Sequence, residues 1–142
     1  MIVLDTTILA YAAGGEHALR EPCARLIAAV ARGAVIATTT VEVIQEFAHL
    51  HGRRRPRAVA ARLARRYAEG LTPLLVVDRG ILEAGLDLYE RHEELGAFDA
   101  VLAAVALTHR ADALVSADTA FETVEALPFV APTTAAFEAL VQ

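Results

Sequence analysis

The chain has 142 residues, enough for one domain with a full core, and 56% hydrophobic against 22% charged residues excludes a disordered chain. Its formal charge of −5 is not, in bulk, that of a nucleic-acid binder, yet all 13 basic residues are arginines. Without a lysine there is neither a P-loop nor the acidic pocket of a receiver domain in its usual form.

Ile2 to Leu4 reads as a short buried strand ending at Asp5. The run ILAYAA is a short helix broken by Gly14 and Gly15. A second helix starts near Arg20, where Pro22 falls in its first turn, and runs to Ala31 before Gly33. Ala34 to Ala37 is a second strand. Thr40 to His51 is a helix, with Thr39 and Glu42 spaced as a capping box, an apolar face of Val41, Ile44, Phe47 and Ala48, and Gly52 at its end. Pro56 opens a helix to about Ala68 with the stripe Val59, Leu63 and Tyr67. Leu74 to Val77 is expected as a third strand and Ile81 to Arg91 as an amphipathic helix. Ala100 to Thr108 is apolar on every side and should be buried. A strand at Ala113 to Ser116, a short helix at Phe121 to Ala126, a strand at Phe129 and Val130 and a helix at Thr134 to Val141 complete the pattern.

Strands separated by helices imply a parallel α/β sheet covered on both faces, a three-layer α/β/α sandwich. No linker divides it, so residues 1–142 are expected to form one domain. No apolar run approaches the roughly 18 residues that cross a bilayer, and MIVLD has no basic or hydrophobic leader. The single Cys23 lies in a helical stretch as a buried thiol and fits a reducing, cytoplasmic setting.

Ligands of parallel sheets bind beyond the carboxyl ends of the strands. Asp5 and Asp118 both follow strands closely, and each reads either as a helix cap or as a site acid. Asp99 opens the all-apolar helix, where an N-terminus welcomes a carboxylate and the small Ala103 and Ala106 let another group come close. Glu46 falls on the polar side of its helix, with Glu42 and His49, and reads equally well as a solvated glutamate. If the fold gathers these acids, each pair about 4 Å apart repels by roughly 4 kcal/mol at an effective dielectric near 20. Such acids either keep protons or bind a cation.

Together, VLDTTILAY, TTTVEVIQEF, AFDAVLAAVA and LVSADTAF resemble, in order and spacing, the PIN-domain nucleases, in particular the VapC toxins of prokaryotic toxin–antitoxin pairs. The resemblance spans nearly the whole chain. It implies a PIN-like sheet and a catalytic set of Asp5, Glu46, Asp99 and Asp118. It favours Glu46 over Glu42, because the family's glutamate lies about two turns into a helix that Thr40 opens. Thr6 and Ser116 match hydroxyl positions that support the acids, and Thr7 stands where serine is common. Asp5, Asp99 and Asp118 would hold Mg²⁺ or Mn²⁺, and Glu46 would orient or deprotonate a water. The resemblance further implies endonucleolytic RNA cleavage leaving a 3′-hydroxyl and a 5′-phosphate, a homodimer, and a VapB-type antitoxin whose tail occludes the acids.

Seven arginines crowd between Arg53 and Arg66. They are either a solvated helix face or a phosphate grip, with Arg53, Arg54, Arg55 and Arg62 as candidates for RNA contact. Two other classes compete with the nuclease. One is a catalytically weak PIN scaffold that binds RNA or protein. The other is a haloacid-dehalogenase-type phosphatase, which needs an Asp two positions after Asp5, where Thr7 stands.

Overall fold

A computed structural model describes residues Met1–Gln142. Four short strands form one sheet in the order β2-β1-β3-β4, parallel throughout: β1 (Ile2–Leu4), β2 (Ala37–Thr38), β3 (Ala113–Val115) and β4 (Phe129–Val130). β1 is central, and its Val3 and Leu4 are fully buried. That accounts for an apolar run with no alternation, since both faces of a parallel strand are covered. The helices are α1 (Thr6–Ala13), α2 (Arg20–Ala31), α3 (Val41–Gly52), α4 (Arg57–Gly70), α5 (Arg79–Arg91), α6 (Ala97–Thr108) and α7 (Ala135–Val141), with a 3-10 turn at Thr119–Thr123. The result is the expected three-layer α/β/α arrangement around one contiguous core.

Three expectations are corrected. Leu74 to Val77 does not join the sheet. Only Leu75 bridges to Thr40, with the Leu75 N–H donating to the Thr39 carbonyl at 2.9 Å, and Val76 is 71% exposed. Just before this segment the Thr38 hydroxyl shares its proton between the carbonyls of Pro73 at 2.8 Å and Leu71 at 3.1 Å, which ties the turn after α4 to β2 by a side chain. The capping box also fails. Thr40, not Thr39, caps α3 by accepting from the Val43 N–H at 3.2 Å, while Thr39 donates to the Leu4 carbonyl at 2.6 Å and ties β2 to the end of β1. The cap moves by one residue, so Glu42 falls outside the box and stands exposed. The buried side of α3 is accordingly Val43 and Phe47, and Val41 points outward at 53% exposure. Finally, α6 begins at Ala97, so Asp99 lies within its first turn rather than at its start.

Two packing contacts hold the helices that carry the acids. Phe47 is fully buried and meets Tyr67 edge-on at 4.9 Å, and the Tyr67 hydroxyl donates to the Leu9 carbonyl at 3.2 Å, which joins α1, α3 and α4. Burying a phenylalanine contributes about 1.5–3 kcal/mol, so this contact anchors the backbone beside Glu46. On the other side α5 lies against α6 at Gly85. A Cβ there would stand 2.7 Å from the Val101 Cα and from its Cγ2, closer than carbon atoms approach.

Gly85→Ala should therefore lower unfolding free energy by about 1–3 kcal/mol through overpacking. Gly70→Ala, with no atom within 4 Å of the added methyl, should leave it nearly unchanged or slightly raised. Urea denaturation of the two variants checks the contrast.

Candidate active site: four carboxylates on one cleft

Asp5, Glu46, Asp99 and Asp118 come from four different elements and line a single cleft of about 980 Å³. The parallel sheet is responsible. β1 and β3 end side by side, which brings Asp5 and Ser116 together, and the Asp5 N–H donates to the Val115 carbonyl at 3.0 Å. α1 and α3 leave the same edge of the sheet, so Thr6 and Glu46 meet.

Hydroxyl groups anchor the acids one oxygen at a time. Asp5 is buried, and its Oδ2 accepts from the Ser116 Oγ at 2.6 Å, the Thr7 Oγ1 at 2.8 Å and, more weakly, the Thr7 N–H at 3.4 Å. Oδ1 accepts nothing, and no buried side-chain oxygen lacks a partner, so Oδ1 is the atom that reaches the cleft. Glu46 is half-buried, with Oε2 accepting from the Thr6 hydroxyl at 2.8 Å and Oε1 free. Asp118 is exposed, and its Oδ1 caps the 3-10 turn by accepting from the Ala120 N–H at 2.9 Å. Asp5 and Asp118 each cap a helical turn and also line the cleft.

Asp99 differs. It is half-buried in the first turn of α6, and no hydrogen bond stabilises its charge. Its carboxyl is pushed up to about 7, first by burial and then by the negative charges of Asp5, Asp118 and Glu46. The helix N-terminus favours the carboxylate by only about 0.3–1 kcal/mol at a surface, too little to reverse this. Burial and the neighbouring acids thus both oppose ionisation of Asp99.

The donor set suits a hard divalent cation. It consists of carboxylate oxygens only, with one oxygen of each anchored acid directed away from its protein donors. No three acids converge tightly enough to close a ligand shell on their own. Mg²⁺ does not require that, because it keeps several waters and takes one or two carboxylates.

The remaining expected residues divide. Thr6 and Ser116 contact acids, while the Thr40 hydroxyl is engaged as the cap of α3. Arg53, Arg54 and Arg55 line the cleft, whereas Arg62 is exposed on α4 and does not line it. Glu42 is not on the cleft either. Thr7 is more central than its sequence indicated. Besides holding Asp5, its Oγ1 lies 3.3 Å from the Ser116 Oγ and accepts from the Ala117 N–H at 3.0 Å, which joins the ends of β1 and β3. The TT pair after Asp5 was the available signal. Sequence reasoning also missed Tyr11, Glu16 and His17, which line the far end of the cleft and carry no motif.

Asp99 gives a pH prediction. Its ordinary value is 3.8 and its folded value about 7, so between them the folded state binds more protons than the unfolded one. Stability therefore falls as pH rises through that window, and the full cost is present above it. In EDTA, Asp99→Asn should gain on the unaltered protein between about pH 4 and pH 8, by on the order of 1–2 kcal/mol after solvent screening. Thermal unfolding at the two ends checks the sign, and added Mg²⁺ should narrow the gap.

Known proteins share this architecture. The family model for the PIN domain matches residues 2–127. The chain is 47% identical over 148 residues to Ribonuclease VapC7 of Mycobacterium tuberculosis, across 99% of this chain and 97% of that protein. The crystal structure of VapBC2 from Rickettsia felis bound to a DNA fragment from their promoter aligns with a TM-score of 0.73 over 93% of this chain and 99% of that one, and at 16% identity it speaks for the fold alone. On the matched family and the full-length likeness, this chain belongs to the PIN-domain family and, within it, to the VapC ribonucleases.

Proposed function

We propose that this chain is a divalent-metal-dependent endoribonuclease and the toxin of a toxin–antitoxin pair, with Asp5, Glu46, Asp99 and Asp118 as its catalytic set. One observation carries the reading: acids from four elements share a cleft, where burial first and the neighbouring negative charges second push the Asp99 carboxyl up. A module that only binds has no physical need for that arrangement. The likeness to a named ribonuclease supports RNA as the substrate.

A Mg²⁺ or Mn²⁺ ion between Asp5, Asp99 and Asp118 would let these acids ionise together and offset the charge that builds on the phosphate. Ser116 and Thr7 hold Asp5 so that Oδ1 is presented to the cleft. Thr6 fixes Glu46 through Oε2, which leaves Oε1 to orient a water and take its proton. Attack at phosphorus then breaks the bond to the 3′-oxygen and leaves a 3′-hydroxyl and a 5′-phosphate. Arg53, Arg54 and Arg55 lie along the same cleft and supply the positive charge that holds the anionic strand beside the acids.

The partner reading follows from the same charge pattern. A cationic side chain offered by an antitoxin tail would meet the four acids and block the cleft. A homodimer is part of the proposal. No helix is long and apolar enough to cross a membrane, and the proposed site of action is the cytoplasm.

Asp5→Asn, Asp99→Asn and Glu46→Gln should each lower metal-dependent RNA cleavage, the last by about 10²–10⁴-fold as expected for loss of a positioned base. End sequencing of the products checks the cleavage chemistry. Cleavage that survives Asp5→Asn and Asp99→Asn would refute the assigned site, and no cleavage by the unaltered chain would favour the scaffold reading. Arg54→Ala with Arg55→Ala should reduce the salt dependence of RNA binding by about 1.4 in log–log slope, two phosphate contacts' worth, and Arg62→Ala should leave it in place.

A further inference from the structure

The cleft continues well past its acids. One wall is α1, whose 8 residues span about 12 Å, extended by the turn after it. The other is α3 and the loop that follows. The far end carries two stacked ring pairs. Tyr11 and His17 have ring centroids 4.5 Å apart with planes at 30°, and Phe47 and His51 lie 5.2 Å apart at 20°. All four line the cleft. Phe47 is fully buried and belongs to the core, but His17 is exposed and Tyr11 only half-buried. His17 is nevertheless held, since its Nδ1 accepts from the Leu19 N–H at 3.1 Å. Phosphodiester hydrolysis by the acids has no use for this preset aromatic surface.

Charge divides the same end of the cleft into two sides. Arg53, Arg54 and Arg55 stand at the end of α3, and Glu16 stands beside His17 at the end of α1. A phosphate is repelled by Glu16 and attracted to the arginines. A base has no such preference, gains from an aromatic face, and can donate an exocyclic amino group to a carboxylate. In a duplex each base face is already covered by its neighbour, so only an unpaired nucleotide has a face to offer.

We infer that the far end of the cleft is a nucleotide subsite for unpaired RNA, with a base stacked on the Tyr11–His17 pair and its phosphate on Arg53 to Arg55. The ribonuclease reading supplies the direction of the strand toward the acids, while the binding itself stands on the stack and the charge division. Tyr11 and His17 are positioning residues here, remote from the bond that breaks.

The test uses the full chain carrying Asp99→Asn to block cleavage, with Mg²⁺ present. The probe is a short single-stranded oligoribonucleotide containing 2-aminopurine, compared with a hairpin stem. Tyr11→Leu with His17→Ala should weaken single-strand binding roughly ten-fold or more and remove the stacking quench of 2-aminopurine. Tyr11→Phe should keep the quench, because the ring remains. Tyr89→Leu, which removes a half-exposed ring from α5 off the cleft, serves as the control for loss of an aromatic and should change neither reading. In the cleavage-competent chain, the Tyr11/His17 double variant should raise KM more than it lowers kcat. Unchanged binding and quenching in the double variant, tight binding of the stem equal to that of the single strand, or no single-strand binding at all would each overturn the subsite. Binding and quenching by a chain that cuts no RNA would sink the ribonuclease reading and leave the subsite standing. Cleavage with an unchanged KM in the double variant would do the reverse.

Discussion

Like charges held on one cleft cost free energy, and much of this chain is arranged around that cost. Asp5, Glu46 and Asp118 each give one oxygen to a protein donor, and hydrogen bonds to charged groups contribute about 1.5–3 kcal/mol apiece. Asp99 receives no such bond, and burial first and the charges of the other three acids second push its carboxyl up to about 7. A cation in the cleft would offset both costs and favour the ionised acid. The site is thus assembled in a state that favours binding positive charge, whether a metal ion or a partner's cationic side chain.

The sheet makes this gathering possible. Its strands are only 2 or 3 residues long, and side-chain hydroxyls add to the ladder bonds at their ends. Thr38, Thr39 and Thr40 are consecutive, yet they bond to the segment after α4, to the end of β1, and to the first turn of α3 respectively. Thr7 and Ser116 do the same between β1 and β3. Helix placement then completes the geometry. Gly85 lets α5 lie against Val101, two residues beyond Asp99, and Phe47 seats α3 beside Glu46. Core packing and site geometry are therefore one problem in this chain: the residues that fill the interior are neighbours of those that face the cleft.

The arginine run has two roles rather than one. Its first three members end α3, where cations also favour the helix C-terminus, and they line the cleft. Arg57, Arg62, Arg65 and Arg66 are exposed along α4, as a solvated helix face would be. The net charge of −5 conceals this, because three of the arginines share one cleft with Asp5, Glu46, Asp99 and Asp118.

The sequence alone determined the alternation of strands and helices, because buried runs and glycine breaks leave local marks, and it placed Asp5 and Asp118 just after strands. The resemblance in its motifs grouped the four acids and added the hydroxyls at Thr6 and Ser116. The resemblance separated Glu46 from Glu42, which the helical wheel could not, since both lie on the polar side of α3. Tertiary structure alone decided what depends on contacts distant in the chain. Leu74 to Val77 has strand composition, but only Leu75 bridges to the sheet side, and the Thr38 hydroxyl bonds the carbonyls of Leu71 and Pro73 just before it. Thr39 and Thr40 are identical in type, and only the approach of the Leu4 carbonyl determines which one caps α3. The pairing of Tyr11 with His17 and the charge imposed on Asp99 have no local mark, because a stack and a Coulomb field depend on distances in space that chain spacing does not encode.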